Sequence, residues 1–167
     1  MIDRDGARLA DYRKCHLFGE IDRAVFVTGD RLVVQFSLDD LTVGLLTCYD
    51  VEFPEAVRAH ALAGADLLVV PTGLIIPFDL VSEVLVPARA YGSQVFIAYV
   101  NRCGAEGELT YCGSSCVAAP DGRVLVRAGS DEELLVVDVD RDVPLPSRAV
   151  NTNLQDRRPE LYRDEAP

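Results

Sequence analysis

Apolar residues along this chain come in short runs, each cut off by glycine, proline or a pair of charges. "RLVVQF" (31–36) and "LTVGLL" (41–46) are rich in β-branched residues and flank the polar "SLDD", which predicts two strands. Pro54 and Glu55 open "PEAVRAHALAG" (54–64), where helically spaced apolar positions run to a terminal glycine; this predicts a helix. "DLLVVP" (66–71) is a short apolar strand of the kind covered on both faces, and "QVFIAYVN" (94–101) is another buried strand. Between them, 79–92 has a helical pattern that Pro87 should disturb. "GSSCVAAPDGRVLVRAG" (113–129) predicts strand, turn and strand, and "ELLVVDVD" (133–140) a last strand. The alternation of strand and helix predicts an α/β fold with a mostly buried sheet, one domain over 1–140. Residues 141–167 are polar and proline-bearing, an expected arm along the surface or a partner subunit.

Charge and composition narrow the function classes. A net charge of -11 argues against nucleic acid, because a phosphate backbone needs a basic face. None of the apolar runs approaches a membrane-spanning length, and no charged-then-apolar leader opens the chain, so the expectation is a soluble, cytoplasmic protein without a membrane partner. The five cysteines, Cys15, Cys48, Cys103, Cys112 and Cys116, form no C-x-x-C pair, which favours reduced thiols. A zinc site from Cys103, Cys112, Cys116 and His16 matches no familiar ligand spacing, and no metal is expected. Fifteen arginines stand against a single lysine, Lys14, in "YRKCHLFGE". That exception matters where a compact ammonium is required, unless it is chance in an arginine-biased composition.

Ligands in α/β sheets bind beyond the carboxyl ends of strands. Cys48 falls just past the end of "LTVGLL" and before a helix; Thr72 and Asn101 follow their own strands in the same way, so the three can share one crevice. A cysteine there can be a nucleophile, its thiolate favoured by a helix N-terminus, or a buried structural thiol. His16 and His60 offer no good partner for a cysteine–histidine arrangement.

"YRKCHLFGE" followed by "GLLTCYDVEFPE" resembles the carbon–nitrogen hydrolase (nitrilase) superfamily. The likeness continues through "ALAGADLLVVPT", "ARA", "AYVNRCGAEGELTYCGSS", "PDG" and "DRRPELY", and is nearest to aliphatic amidases of the 5-aminopentanamidase type. The resemblance implies the C-terminal portion of a four-layer α-β-β-α sandwich, often a homo-oligomer, acting on a small-molecule amide without cofactor. It implies Cys48 as nucleophile, with Lys14 and the Tyr49 backbone N–H stabilising the oxyanion. Glu20 is the candidate accessory glutamate beside the lysine, or a solvated loop acid. Glu52 and Glu55 are expected to orient the turn by hydrogen bonds. Glu106 and Glu108 stand where relatives line the pocket entrance and would receive a distal ammonium, unless they too are solvated.

Two departures qualify this expectation. The general-base glutamate of the family lies upstream of the lysine motif, and no acid in these 167 residues matches it. The expectation is then a fragment or mis-started reading frame, or a natural, catalytically inactive remnant with a structural or interaction role. Pro87, Gly92 and Ser93 also depart from the residues usual around "ARA", which bears on the helix at 79–92.

Overall fold

A computed structural model describes residues 1–140, 142 and 144–162. Its centre is a six-stranded sheet in the order β1-β2-β3-β4-β7-β8. Three parallel strands form the middle: β2 (Leu41–Leu45), β3 (Leu67–Thr72) and β4 (Phe96–Asn101). Antiparallel strands close both sides, β1 (Gln35–Leu38) on one and β7 (Cys116–Ala118) with β8 (Val124–Arg127) on the other.

Alternation along the buried strands divides the core. Leu68, Val70, Ile97 and Tyr99 pack with Val57 of helix α2 (Pro54–Leu62) and with Val86 and Ala90 of helix α3 (Val86–Ser93). Leu67 and Val69 face the other way, against Val43, Phe36, Val34 and Ala10. Gly44 is required where β2 passes under α2, because a Cβ there would lie 2.4 Å from His60 Nδ1 and 2.6 Å from Leu68.

Several elements differ from the sequence expectation. The first strand starts later than 31 and takes in Ser37 and Leu38, because Asp39, at φ +50, lets a tight turn join β1 to β2. Pro87 does not interrupt the helix at 79–92. A π turn (Val81–Leu85) precedes α3, with the Val86 N–H bonded to the Val81 carbonyl five residues back. Proline cannot bond the carbonyl four residues behind it, and the wider turn absorbs that mismatch. The stretch "RCGAEGELTYCG", for which no strand is predicted, is a hairpin, β5 (Cys103–Glu106) with β6 (Leu109–Cys112), turned at Gly107 with φ +58.

The strand expected at 133–140 is not formed; this stretch pairs with no strand among the described residues, and Leu134 and Val136 are 88% and 81% exposed. An apolar, β-branched run alone makes no strand without an edge to pair with. Of the expected arm, 141, 143 and 163–167 lie outside the described residues. The rest runs back over its own chain: helix α4 (Pro144–Val150) brings Arg148 Nη2 to donate to the Gln94 carbonyl at 3.0 Å. Among the described residues no helix is long and apolar enough to cross a membrane.

Candidate active site

Cys48 begins a 3-10 turn (Cys48–Glu52) directly after β2, and its φ of +51 puts a non-glycine residue in the left-handed region. Such a conformation is costly for a side-chain-bearing residue and tends to sit where function needs it. Within the first turn of a helix backbone N–H groups have no intrahelical acceptor, so the Tyr49 N–H is free of that demand. Cys48 lines a cleft of about 30 Å³ with Phe18, Tyr49, Glu52, Gly73, Leu74, Ile75 and Phe78. A larger groove of about 1010 Å³ between α2 and the arm is lined by Glu55, Arg58, Arg157 and Tyr162 and holds no cysteine.

Lys14 and its neighbours enter from the N-terminal side. Its ammonium forms a largely buried ion pair with Asp22, each side chain 17% exposed. The Asp22 carboxylate also accepts the Phe18 N–H at 2.9 Å. Burial pushes the Asp22 carboxyl up, but the hydrogen bonds from Lys14 and Phe18 and the ammonium charge outweigh it and hold the group below its ordinary value. Asp22 lies on the short helix α1 (Gly19–Arg23), and its contact with Lys14 was not anticipated. Glu20, expected beside the lysine, is instead solvated and contacts Arg23 at 3.4 Å. The two acids sit on one helical turn but point apart, and Asp22 takes the lysine.

Asp50 is the other residue that the sequence pattern did not single out. It is fully buried in the Cys48 turn, and its carboxylate accepts from Tyr12, His16 and Thr47. The far end of the turn is tied by Arg89, whose Nη2 donates to the Glu52 carbonyl at 2.7 Å. The turn is therefore held by Asp50 and Arg89, not by the carboxylates of Glu52 and Glu55. Glu52 instead lines the cleft; burial pushes its carboxyl up, against the pull of Arg89 and Lys14. Tyr99, also buried, hydrogen-bonds Thr72; burial pushes its phenol up, reinforced by nearby Cys48 and Glu52, so it stays protonated. An acid inside "CYD" and an acid eight residues past the lysine were visible signals for Asp50 and Asp22.

Thr72 and Asn101 are register partners at the ends of β3 and β4. Asn101 spends its side chain on backbone: Oδ1 accepts from Leu74 N–H at 2.7 Å, while Nδ2 donates to the Leu74 and Gly113 carbonyls at 3.3 and 2.7 Å. It thus shapes the cleft wall at 73–75. Thr72 Oγ1 donates to the Val70 carbonyl at 3.1 Å. Glu106 and Glu108 lie on the exposed β5–β6 hairpin and do not line the cleft. Glu106 is held by Arg102 at 2.6 Å and by the Tyr111 hydroxyl at 3.2 Å. Cys103 and Cys112 face each other across that hairpin as free thiols. No group of three or more metal-ligating side chains occurs among the described residues.

Residues 1–144 match the carbon-nitrogen hydrolase family. The chain is 49% identical to a "hydrolase in pqqF 5'region" of Pseudomonas protegens, over 98% of this chain and 58% of that protein. It is 40% identical to an (R)-stereoselective amidase of Pseudomonas sp., over 95% of this chain and 57% of that one. A glutamate-to-glutamine mutant of an amidase from Nesterenkonia sp. AN1 superposes with a TM-score of 0.88 at 41% identity, covering 98% of this chain and 59% of that one. That structure shows covalent addition of the acetamide moiety of fluoroacetamide at the active site cysteine. The chain therefore spans somewhat more than half the length of these relatives. Matched from its first residue through the end of its sheet, it belongs to the carbon-nitrogen hydrolase family.

Proposed function

We propose that this chain carries the thiol half of an amidase site, hydrolysing a short non-peptide amide with release of ammonia. The observation that supports it most is Cys48 itself: a strained thiol at a strand end, lining a cleft within the electrostatic reach of the single lysine. The Cys48 sulfur attacks the amide carbon, and the carbonyl electrons move to oxygen. Lys14 and the Tyr49 N–H face that oxyanion, where preorganised donors act most strongly. Collapse breaks the C–N bond, the amide nitrogen leaving as ammonia with the proton that the thiol gave up, and leaves a thioester that water hydrolyses to acid and free thiol. No cofactor or metal enters these steps. The covalent adduct on the Nesterenkonia enzyme's cysteine supports a nucleophilic role for the cysteine here.

A base must still take the thiol's proton. The family's glutamate has no match in these residues, and the carboxylate lining the cleft is Glu52, which burial brings nearer to neutral titration. The acids expected to recognise a distal ammonium, Glu106 and Glu108, stand outside the cleft, so an ω-amino preference draws no support from them.

Peptide mapping after brief treatment with iodoacetamide tests the nucleophile. Cys48 is expected to be alkylated ahead of Cys15, Cys103, Cys112 and Cys116; earlier labelling of Cys103 or Cys112 overturns the assignment. Ammonia release from butyramide by the 167-residue chain is expected to be weak, since general-base help is worth ~10²–10⁴ in rate. Fast release that survives Glu52→Gln would show that a base outside this cleft serves the thiol. The second reading, a chain that keeps the site without turning over, is favoured by the missing match to the glutamate and predicts labelling with no release at all.

A further inference from the structure

Two chain segments, far apart in sequence, supply the ammonium and the thiol, and one side chain joins them. The Asp50 carboxylate, 0% exposed, takes four hydrogen bonds. Its Oδ1 accepts from the His16 backbone N–H at 2.9 Å and contacts His16 Nδ1 at 2.8 Å. Its Oδ2 accepts from the Tyr12 hydroxyl at 2.8 Å and the Thr47 N–H at 3.1 Å. Tyr12 and His16 bracket Lys14 by two residues on either side, and Thr47 immediately precedes Cys48. Both carboxylate oxygens are thus saturated by groups that flank the two reactive residues.

The donors are themselves fixed. Burial, with hydrogen bonds to Cys15 and Asp50, pushes the Tyr12 phenol up, so it remains a donor. The His16 ring stacks on Phe53 at 3.8 Å and 14°, and Phe53 closes the Cys48 turn. An apolar residue in place of Asp50 would avoid the desolvation cost of a buried carboxylate. What the carboxylate adds is direction, because hydrogen bonds fix angle and distance where apolar contact does not.

We infer that Asp50 is a positioning residue for the reaction: it holds the Lys14 segment on the Cys48 turn and so sets where the ammonium stands relative to the thiol. This rests on the assignment of Cys48 and Lys14 above. Asp50 touches no substrate; it acts through Tyr12, His16 and Thr47.

The test is a double-mutant cycle on the rate of Cys48 alkylation by iodoacetamide, read by peptide mapping, in the 167-residue chain. Lys14→Ala is expected to slow alkylation, because the ammonium favours the thiolate. Asp50→Asn is expected to slow it about tenfold or more, as misplacement of a reactive pair does. In the Lys14→Ala background Asp50→Asn should add nothing, since the group it positions is gone. Asp66→Asn serves as control: this carboxylate is also buried, and it accepts the Thr42 N–H at 2.9 Å at the other end of the sheet strands. It should leave the rate unchanged. Equal slowing by Asp50→Asn in both backgrounds, or equal slowing by Asp66→Asn, reduces Asp50 to general packing and overturns the inference. No effect of Asp50→Asn overturns it too. An unchanged rate in Lys14→Ala instead sinks the pairing of Lys14 with Cys48, and the inference with it. Should Asp50→Asn fail to fold, Tyr12→Phe removes one donor alone and is expected to show a smaller loss with the same non-additivity.

Discussion

A histidine and an aspartate make stability titrate in opposite-looking but same-signed ways. His60 is fully buried under α2, with Nε2 on the Leu32 carbonyl at 3.1 Å, and burial holds its basicity below the ordinary 6.5. A depressed histidine binds fewer protons folded than unfolded. Stability is therefore complete above about 6.5 and falls as pH drops below it. Asp22 is also depressed from its ordinary 3.8, so its contribution stands above that value and is lost as pH falls further. Urea midpoints measured across pH should show two descending steps; His60→Gln should erase the first and Asp22→Asn the second. At the same scale, the role proposed for Lys14 predicts that Lys14→Arg abolishes turnover in an active form of the protein, because a planar guanidinium cannot occupy the position the compact ammonium takes beside Asp22.

Elements carry the next set of consequences. Gly44→Ala drives a methyl into His60 and Leu68 at the β2–α2 contact and is expected to cost about 1–3 kcal/mol in chemical unfolding. Asn101→Ala frees the Leu74 backbone groups and the Gly113 carbonyl, and is expected to cost about 1–3 kcal/mol while loosening the cleft wall. The buried strands and α2 were legible in the sequence because periodicity and the Pro54 and Gly64 punctuation are local signals. Cys48 and Lys14 were legible as motif residues. The acids at Asp22 and Asp50 were visible beside those motifs, but their roles and the π turn were not, because each depends on a partner that folding brings near. The hairpin at 103–112 was missed for the opposite reason: its turn hangs on Gly107, and its strands are four residues each with no fully buried position, so there is little pattern to read. "ELLVVDVD" carries an apolar, β-branched run and forms no strand among the described residues, so pattern and partner are separable requirements.

On the scale of the whole molecule, acidity and exposed apolar surface pull against each other. A net charge of -11 favours dispersal. Yet Val25, Phe26 and Val27 beside the site and Leu134 and Val136 beyond β8 lie open to solvent. Apolar stretches of this kind promote association. We expect self-association of the 167-residue chain, growing with salt as the charges are screened. Sedimentation velocity at low and high ionic strength would show it. Leu134→Asp with Val136→Asp should shift the distribution toward monomer; a monomer at every salt concentration would argue that these side chains are tolerated alone.

The ion pair that shelters Lys14 has a practical corollary in proteolysis. A lysine-specific protease finds one cleavable bond in these 167 residues, between Lys14 and Cys15. In the native state that bond is clamped, with the Lys14 carbonyl accepting the Gly29 N–H at 2.7 Å and the side chain bound to Asp22. Cutting then requires the segment to open, and when opening is fast relative to cleavage the rate follows the open population. A single-cut digestion thus becomes a clock for the local stability of the Lys14 segment, independent of any substrate.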